Sequence, residues 1–133
     1  MWNAFWVFLG GGLGSLARYG LSGWIGRQPW GETFPWGTLL ANVSGSLAIG
    51  FFATLTGPDG RWLAPSSLRT FFMIGVCGGY TTFSSFSLQT LALAEESEWL
   101  KAGANAVLSL VLCLVAVWLG HVLAQGLNSM KGS

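Results

Sequence analysis

Four apolar stretches of about 20 residues, the length a bilayer requires of a helix, alternate with short polar connections along the chain. They run from Trp2 to Trp24, Trp36 to Thr56, Leu68 to Ala94 and Ala102 to Leu123. Between them lie "GRQPWGETFP", "GPDGRWLAPSS" and "EESEWLKAG", which hold the turn formers and nearly all the charge. Connections this short make consecutive helices antiparallel neighbours. The pattern predicts one all-α membrane domain, residues 1–133, with four transmembrane helices and no long-period repeat. The closing "NSMKGS" reads as a loose tail.

Composition strengthens the membrane reading. The 133 residues are 52% hydrophobic and 8% charged, where a soluble domain carries about 25% charged residues. Most of the eight tryptophans stand near the ends of the apolar stretches, where a bilayer meets water. The start lacks a cationic segment before its apolar run, so a cleaved signal peptide fits poorly. A net charge of +1 supplies no basic face for nucleic acid and no acidic face for a basic partner. Cys77 and Cys113 lie inside apolar segments and read as free thiols.

The basic residues divide evenly between the two sides of a four-span arrangement. Arg61, Arg69 and Lys131 fall on one side, Arg18, Arg27 and Lys101 on the other. The positive-inside rule then has no bias to act on. The expectation is a chain that inserts both ways up and pairs as an antiparallel, dual-topology dimer.

Small residues recur four apart: Gly10 with Gly14, Gly11 with Ser15, Ala41 with Gly45, and Asn42 with Ser46 and Gly50. That spacing lets helix backbones approach closely in lipid. Gly12, Gly14 and Ala17 also fit a dinucleotide-binding fingerprint with Glu32 downstream. The fingerprint needs a strand and a βαβ unit around it, and another apolar span follows instead.

Polar atoms inside the spans are few. Arg18 and His121 lie near span ends, and no Asp or Glu falls within an apolar stretch. A proton-coupled exporter of small solutes or cations needs a membrane-embedded carboxylate, so an anion or a neutral solute suits the chain better. Asn42 either bonds across a helix interface or lines an aqueous path. Asn105, Ser109 and Cys113 form one stripe, as helix–helix glue or as a track for a solute.

The third stretch is the longest, and "GVCGGYTTFSSFS" (75–87) lies within it. Gly78 and Gly79 each weaken a helix by about 1 kcal/mol relative to Ala, which predicts a helix broken at mid-span. Such backbone is tolerated in a membrane only when buried in protein or lining a cavity. Thr81, Thr82, Ser84, Ser85 and Ser87 follow, with Phe83 and Phe86 three apart on one face. Ring edges are the positive part of the aromatic quadrupole, so edges beside hydroxyls suit a small, strongly hydrated anion. The competing reading is packing alone, in a membrane assembly protein that transports nothing.

These residues resemble the fluoride channel family called Fluc or CrcB. "GGGLGSLARY" (10–19) resembles its first-span signature, with Ser15 where Ala is common. "GTLLANVSGSLAIG" (37–50) is similar to its second-span motif, and "GVCGGYTTFSSF" (75–86) to its third-span core, with Ser85 where Thr is common. The resemblance implies a passive fluoride channel that lets fluoride leave the cytoplasm, working as an antiparallel homodimer in the cell membrane. It implies a structural sodium ion at the dimer centre, held by main-chain carbonyls of Gly78 and Thr81 from both chains. It implies two pores lined by Asn42, Phe83 and Phe86, with Thr82 and Ser84 as nearby hydroxyls and Ser109 continuing the path. The family often has a larger polar residue where Asn105 falls and a serine near Cys113. Arg18 matches the first-span arginine and is expected to concentrate anions at the vestibule.

Overall fold

The computed structural model describes residues 2–131, and among them all regular structure is helical. Helix α1 is Trp2–Gly26 and α2 is Trp36–Leu55. Helix α3 covers 66–80: an opening turn Ser66–Arg69, a π-wound stretch Thr70–Cys77 and a closing turn Gly78–Tyr80. Thr81 and Thr82 are extended, with φ/ψ of −88°/157° and −153°/121°. Helix α4, Phe83–Glu95, follows this junction, and α5 is Trp99–Lys131.

Three segments are long and apolar enough to cross a membrane: Trp36–Leu55, Ser66–Glu95 taken through the junction, and Trp99–Met130. Helix α1 has 25 residues, with an apolar content diluted by its glycines. The buried apolar residues are mostly small, Ala41, Ala102, Ala116 and Ala124 beside Ile25 and Leu39. Large apolar side chains face outward instead: Phe8 is 80% exposed, Leu110 64% and Trp118 60%. A surface of this kind has no place in water. In lipid, small buried residues let helices close on one another while the large ones meet acyl chains.

Close backbone contact organises two helix pairs. A Cβ on Gly14 would overlap the Val76 carbonyl of α3, and one on Gly79 would lie 2.5 Å from the Gly11 carbonyl of α1. Helices α2 and α5 meet the same way, Gly50 against the Val117 carbonyl and Gly120 against that of Leu47. The small-residue spacing is therefore a packing device.

Two expectations need correction. Gly78 and Gly79 do not open the helix: Gly78 has φ/ψ of −64°/−37° and both belong to its closing turn. Extended backbone comes two residues later, and Gly79 is there for close approach to α1. The expected tail is also wrong for 128–131, the last turn of α5, while 132 and 133 lie outside the described residues. The Asn128 amide explains the continuation. Its Oδ1 accepts from the Arg61 backbone N–H at 2.7 Å, and its Nδ2 donates to the Thr54 carbonyl at 3.1 Å. The end of α5 is thus tied to α2 and to the loop after it.

Candidate functional site

The junction at Thr81–Thr82 creates a problem that the fold solves with one side chain. In a continuous helix the Thr82 N–H would donate to the carbonyl of Gly78. Here it donates to Asn42 Oδ1 of α2 at 2.7 Å, and Asn42 Nδ2 donates back to the Thr82 carbonyl at 3.0 Å. The amide therefore stands in for a peptide group and satisfies both main-chain atoms of Thr82. These partners also settle which end of the amide is oxygen. Among the described residues, the second Asn42 N–H has no acceptor.

The rest of the junction is held locally. Thr81 donates to the Cys77 carbonyl through its N–H at 3.0 Å and through Oγ1 at 2.9 Å. Thr82 caps α4, its Oγ1 accepting from Ser85 N–H at 3.1 Å, as an N-cap residue does. Ser84 Oγ lies 3.3 Å from Thr82 Oγ1. On the other side of the junction, Tyr80 OH lies 2.9 Å from Ser44 Oγ, which donates to the Leu40 carbonyl at 2.7 Å. Tyr80 OH is thus the donor to Ser44. The Tyr80 ring and Thr81 methyl cover Gly45, where a Cβ would overlap that methyl.

An open groove of about 520 Å³ runs along this junction. Asn42, Gly78, Thr81, Thr82, Phe83, Phe86 and Ser109 all line it, with Cys113 farther along α5. The Phe83 and Phe86 ring centroids are 5.3 Å apart, tilted by 49°, and Phe83 is 77% exposed. On the α5 wall a polar run links two helices. Ser109 Oγ donates to Asn105 Oδ1 at 3.4 Å, Asn105 Nδ2 to Thr90 Oγ1 at 2.8 Å, and Thr90 Oγ1 to the Phe86 carbonyl at 2.8 Å.

Arg18 and Ser84 are not among the residues lining the groove. Half-buried Arg18 donates from Nε to the Gly79 carbonyl at 3.4 Å, on the face of α3 that meets α1. Sequence reasoning missed Tyr80 with Ser44, and Thr90 as the partner of Asn105. For Thr90 a signal was present, since it stands one helical turn beyond Phe86. Tyr80→Phe is expected to lower the melting temperature by the equivalent of about 0.5–1.5 kcal/mol, measured by thermal unfolding in detergent.

A family model described as CrcB-like protein, Camphor Resistance (CrcB), matches residues 5–121. The chain belongs to the CrcB family. Similar relatives bear the name fluoride-specific ion channel FluC. One from Opitutus terrae is 63% identical over 128 residues, 96% of each chain. One from Rhodospirillum rubrum is 64% identical over 122 residues, covering 92% of this chain and 94% of its own. One from Methylocella silvestris is 56% identical over 128 residues, covering 96% and 97%. This CrcB chain is a multi-pass membrane protein, and the motif that carries its junction and both groove phenylalanines lies within the matched region.

Proposed function

We propose that the protein is a fluoride-selective channel, not an enzyme, through which fluoride leaves the cytoplasm passively. The observation that carries this reading is the groove, which gathers Asn42, Thr82, Phe83, Phe86 and Ser109 along one wall-to-wall path. The names of the relatives support it independently. Fluoride is small and strongly hydrated, so a pore must replace its water with compact donors. The Asn42 N–H left free by Thr82 and the phenylalanine edges are donors of that kind. Each is neutral, which leaves the ion no charged site deep enough to trap it.

In this reading α1 joins the other three segments as a fourth span, the third span is broken at Thr81–Thr82, and two chains pair antiparallel with dual topology. The even division of basic residues supports the pairing, as does a groove that opens on the outside of a single chain. A terminal tag reached by reagent from one side only contradicts it. Arg18, held by the Gly79 carbonyl, raises anion concentration near the path through its field rather than by contact.

Gly78 and Thr81 fit a structural sodium ion. The Thr82 N–H is turned to Asn42, so the Gly78 carbonyl is free of the amide that a helix would aim at it, and Gly78 is exposed. Main-chain oxygens suit a hard cation, and among the described residues no cluster of three His, Cys, Asp or Glu competes for one. One chain brings two such carbonyls, too few alone, so the donors would come from both copies. A bound sodium would supply positive charge that braces the two junctions.

Purified protein in proteoliposomes is expected to pass fluoride and exclude chloride, read with a fluoride electrode. Phe83→Ile and Phe86→Ile are each expected to slow that efflux about tenfold or more, the worth of roughly 1.4 kcal/mol. Unchanged efflux in both variants removes the ring-edge contribution, and proton-coupled uptake without fluoride permeability overturns the channel reading.

A further inference from the structure

Behind the α5 wall of the groove runs a hydrogen-bonded chain whose direction is fixed by its far end. Ser109 lines the groove, whereas Thr90 and Asn105 do not, and Asn105 is only 1% exposed. The chain ends on the Phe86 carbonyl, which can only accept, so Thr90 Oγ1 gives its proton there at 2.8 Å. Thr90 Oγ1 is then the acceptor for Asn105, and the amide atom 2.8 Å from it is Nδ2. That leaves Oδ1 facing Ser109, whose hydroxyl donates to it at 3.4 Å. Each link follows from the one before, and the Ser109 proton is aimed at a group outside the groove.

Other helical hydroxyls of the chain behave differently. Ser44, Thr56 and Ser87 donate to the main-chain carbonyl four residues earlier, at 2.7, 2.7 and 2.9 Å. The residue four before Ser109 is Asn105, and the Ser109 hydroxyl takes its side chain instead. A buried amide oxygen left without a donor is costly. Ser109 therefore cannot turn its proton to a passing ion without orphaning Asn105 Oδ1. With that proton committed, Ser109 offers the groove lone pairs alone.

We infer that Thr90 and Asn105 are positioning residues that make Ser109 an acceptor in the path, so that Ser109 holds a water of the ion's hydration shell and not the anion itself. The inference rests on reading the groove as the fluoride path. An acceptor repels an anion, but a water that donates one proton to fluoride has its second to give to Ser109. Fluoride thus keeps a water on its α5 side at this depth, while the Asn42 N–H and the ring edges meet the ion directly. Thr90→Val reverses the chain. Asn105 Nδ2 loses its acceptor on α4, and a flip of the amide turns it onto Ser109 Oγ. The Ser109 proton is then released to the groove and becomes a donor to the ion.

Initial efflux rates from proteoliposomes, taken over a range of internal fluoride concentrations, test this. Thr90→Val is expected to lower both the half-saturating fluoride concentration and the maximal rate by about threefold or more, the worth of one hydrogen bond. Thr90→Ala removes the same hydroxyl with a smaller side chain and is expected to match it. Thr90→Ser keeps the hydroxyl and is expected to retain both wild-type values. In a Ser109→Ala background Thr90→Val is expected to change neither value, because the group it acts through is gone. A purely structural lesion behaves otherwise: it lowers the maximal rate without tightening fluoride, and it adds to Ser109→Ala. Either of those results overturns the positioning role and leaves the channel reading intact. Wild-type vesicles that pass no fluoride overturn both.

Discussion

Asn42→Ala is expected to reduce fluoride efflux from proteoliposomes by about 100-fold while the protein still purifies as a folded species. The Asn42 amide is the partner of both main-chain polar atoms of Thr82. Without it, one N–H and one carbonyl at the junction lose their bonds away from bulk water, at about 1–3 kcal/mol each. A total near 3 kcal/mol shifts the population of the working junction by about two orders of magnitude. The same substitution also removes the one Asn42 N–H that is free to meet an anion. Asn42→Asp separates the two roles. It keeps an acceptor for the Thr82 N–H, yet loses the donor and sets a negative charge on the path, so it is expected to restore no efflux. Efflux within about threefold of wild type in Asn42→Ala, equivalent to under 1 kcal/mol, contradicts the clamp.

Gly14→Val is expected to abolish recovery of folded protein, whereas Gly12→Ala leaves it unchanged. Any side chain at Gly14 overlaps the Val76 carbonyl, and its Cβ would stand 2.8 Å from the Tyr80 amide nitrogen. Both are backbone atoms of α3, which cannot swing aside as a side chain does. Overpacking costs about 1–3 kcal/mol even where side chains yield, and here relief requires parting α1 from α3. Nothing lies within 4 Å of a Cβ on Gly12, which faces outward. Size-exclusion profiles and melting temperatures of the two variants measure the contrast.

That pair of glycines also shows where sequence reading stops. In "GGGLG" every glycine looks alike, and the four-residue spacing suggests a close helix contact without naming its partner. The contact with α3 joins residues more than 60 positions apart, which no local period records. Helix existence was legible because apolar runs of membrane length have few alternatives in composition. Motif resemblance named Asn42, Phe83, Phe86, Thr82 and Ser109, which the groove brings together, but also Arg18 and Ser84, which do not line it, and it did not name the bonds of Asn42. The open choice was between interface and path, and the structure makes the amide a substitute peptide for Thr82. The junction was predicted one turn early for a physical reason: low helix propensity at Gly78 and Gly79 is outweighed by the close packing of Gly79 against α1. The last turns of α5 were missed because "GHVLAQGLNSM" loses apolar character at Leu123. Hydropathy reports the edge of lipid, and the helix continues on hydrogen bonds that hydropathy does not contain.

The turn between α4 and α5 has a mechanical consequence. Ser97 adopts a left-handed conformation, φ 62°, and the chain closes around it. Glu98 N–H reaches the Leu93 carbonyl at 2.8 Å and Ser97 N–H that of Ala94 at 3.0 Å, the paired bonds of a Schellman stop. Helix α5 then starts at once, with Ala102 N–H on the Glu98 carbonyl at 2.9 Å. Two of the helices that line the groove, α4 and α5, are therefore the arms of a stiff hairpin, joined rigidly at one end. At the opposite end α4 meets two extended residues, where the Asn42 amide bonds Thr82 to α2. Any breathing of the groove must be absorbed there, as rotation of α4 about Thr81 and Thr82, so Asn42 sets the stiffness of the hinge as well as the chemistry beside it.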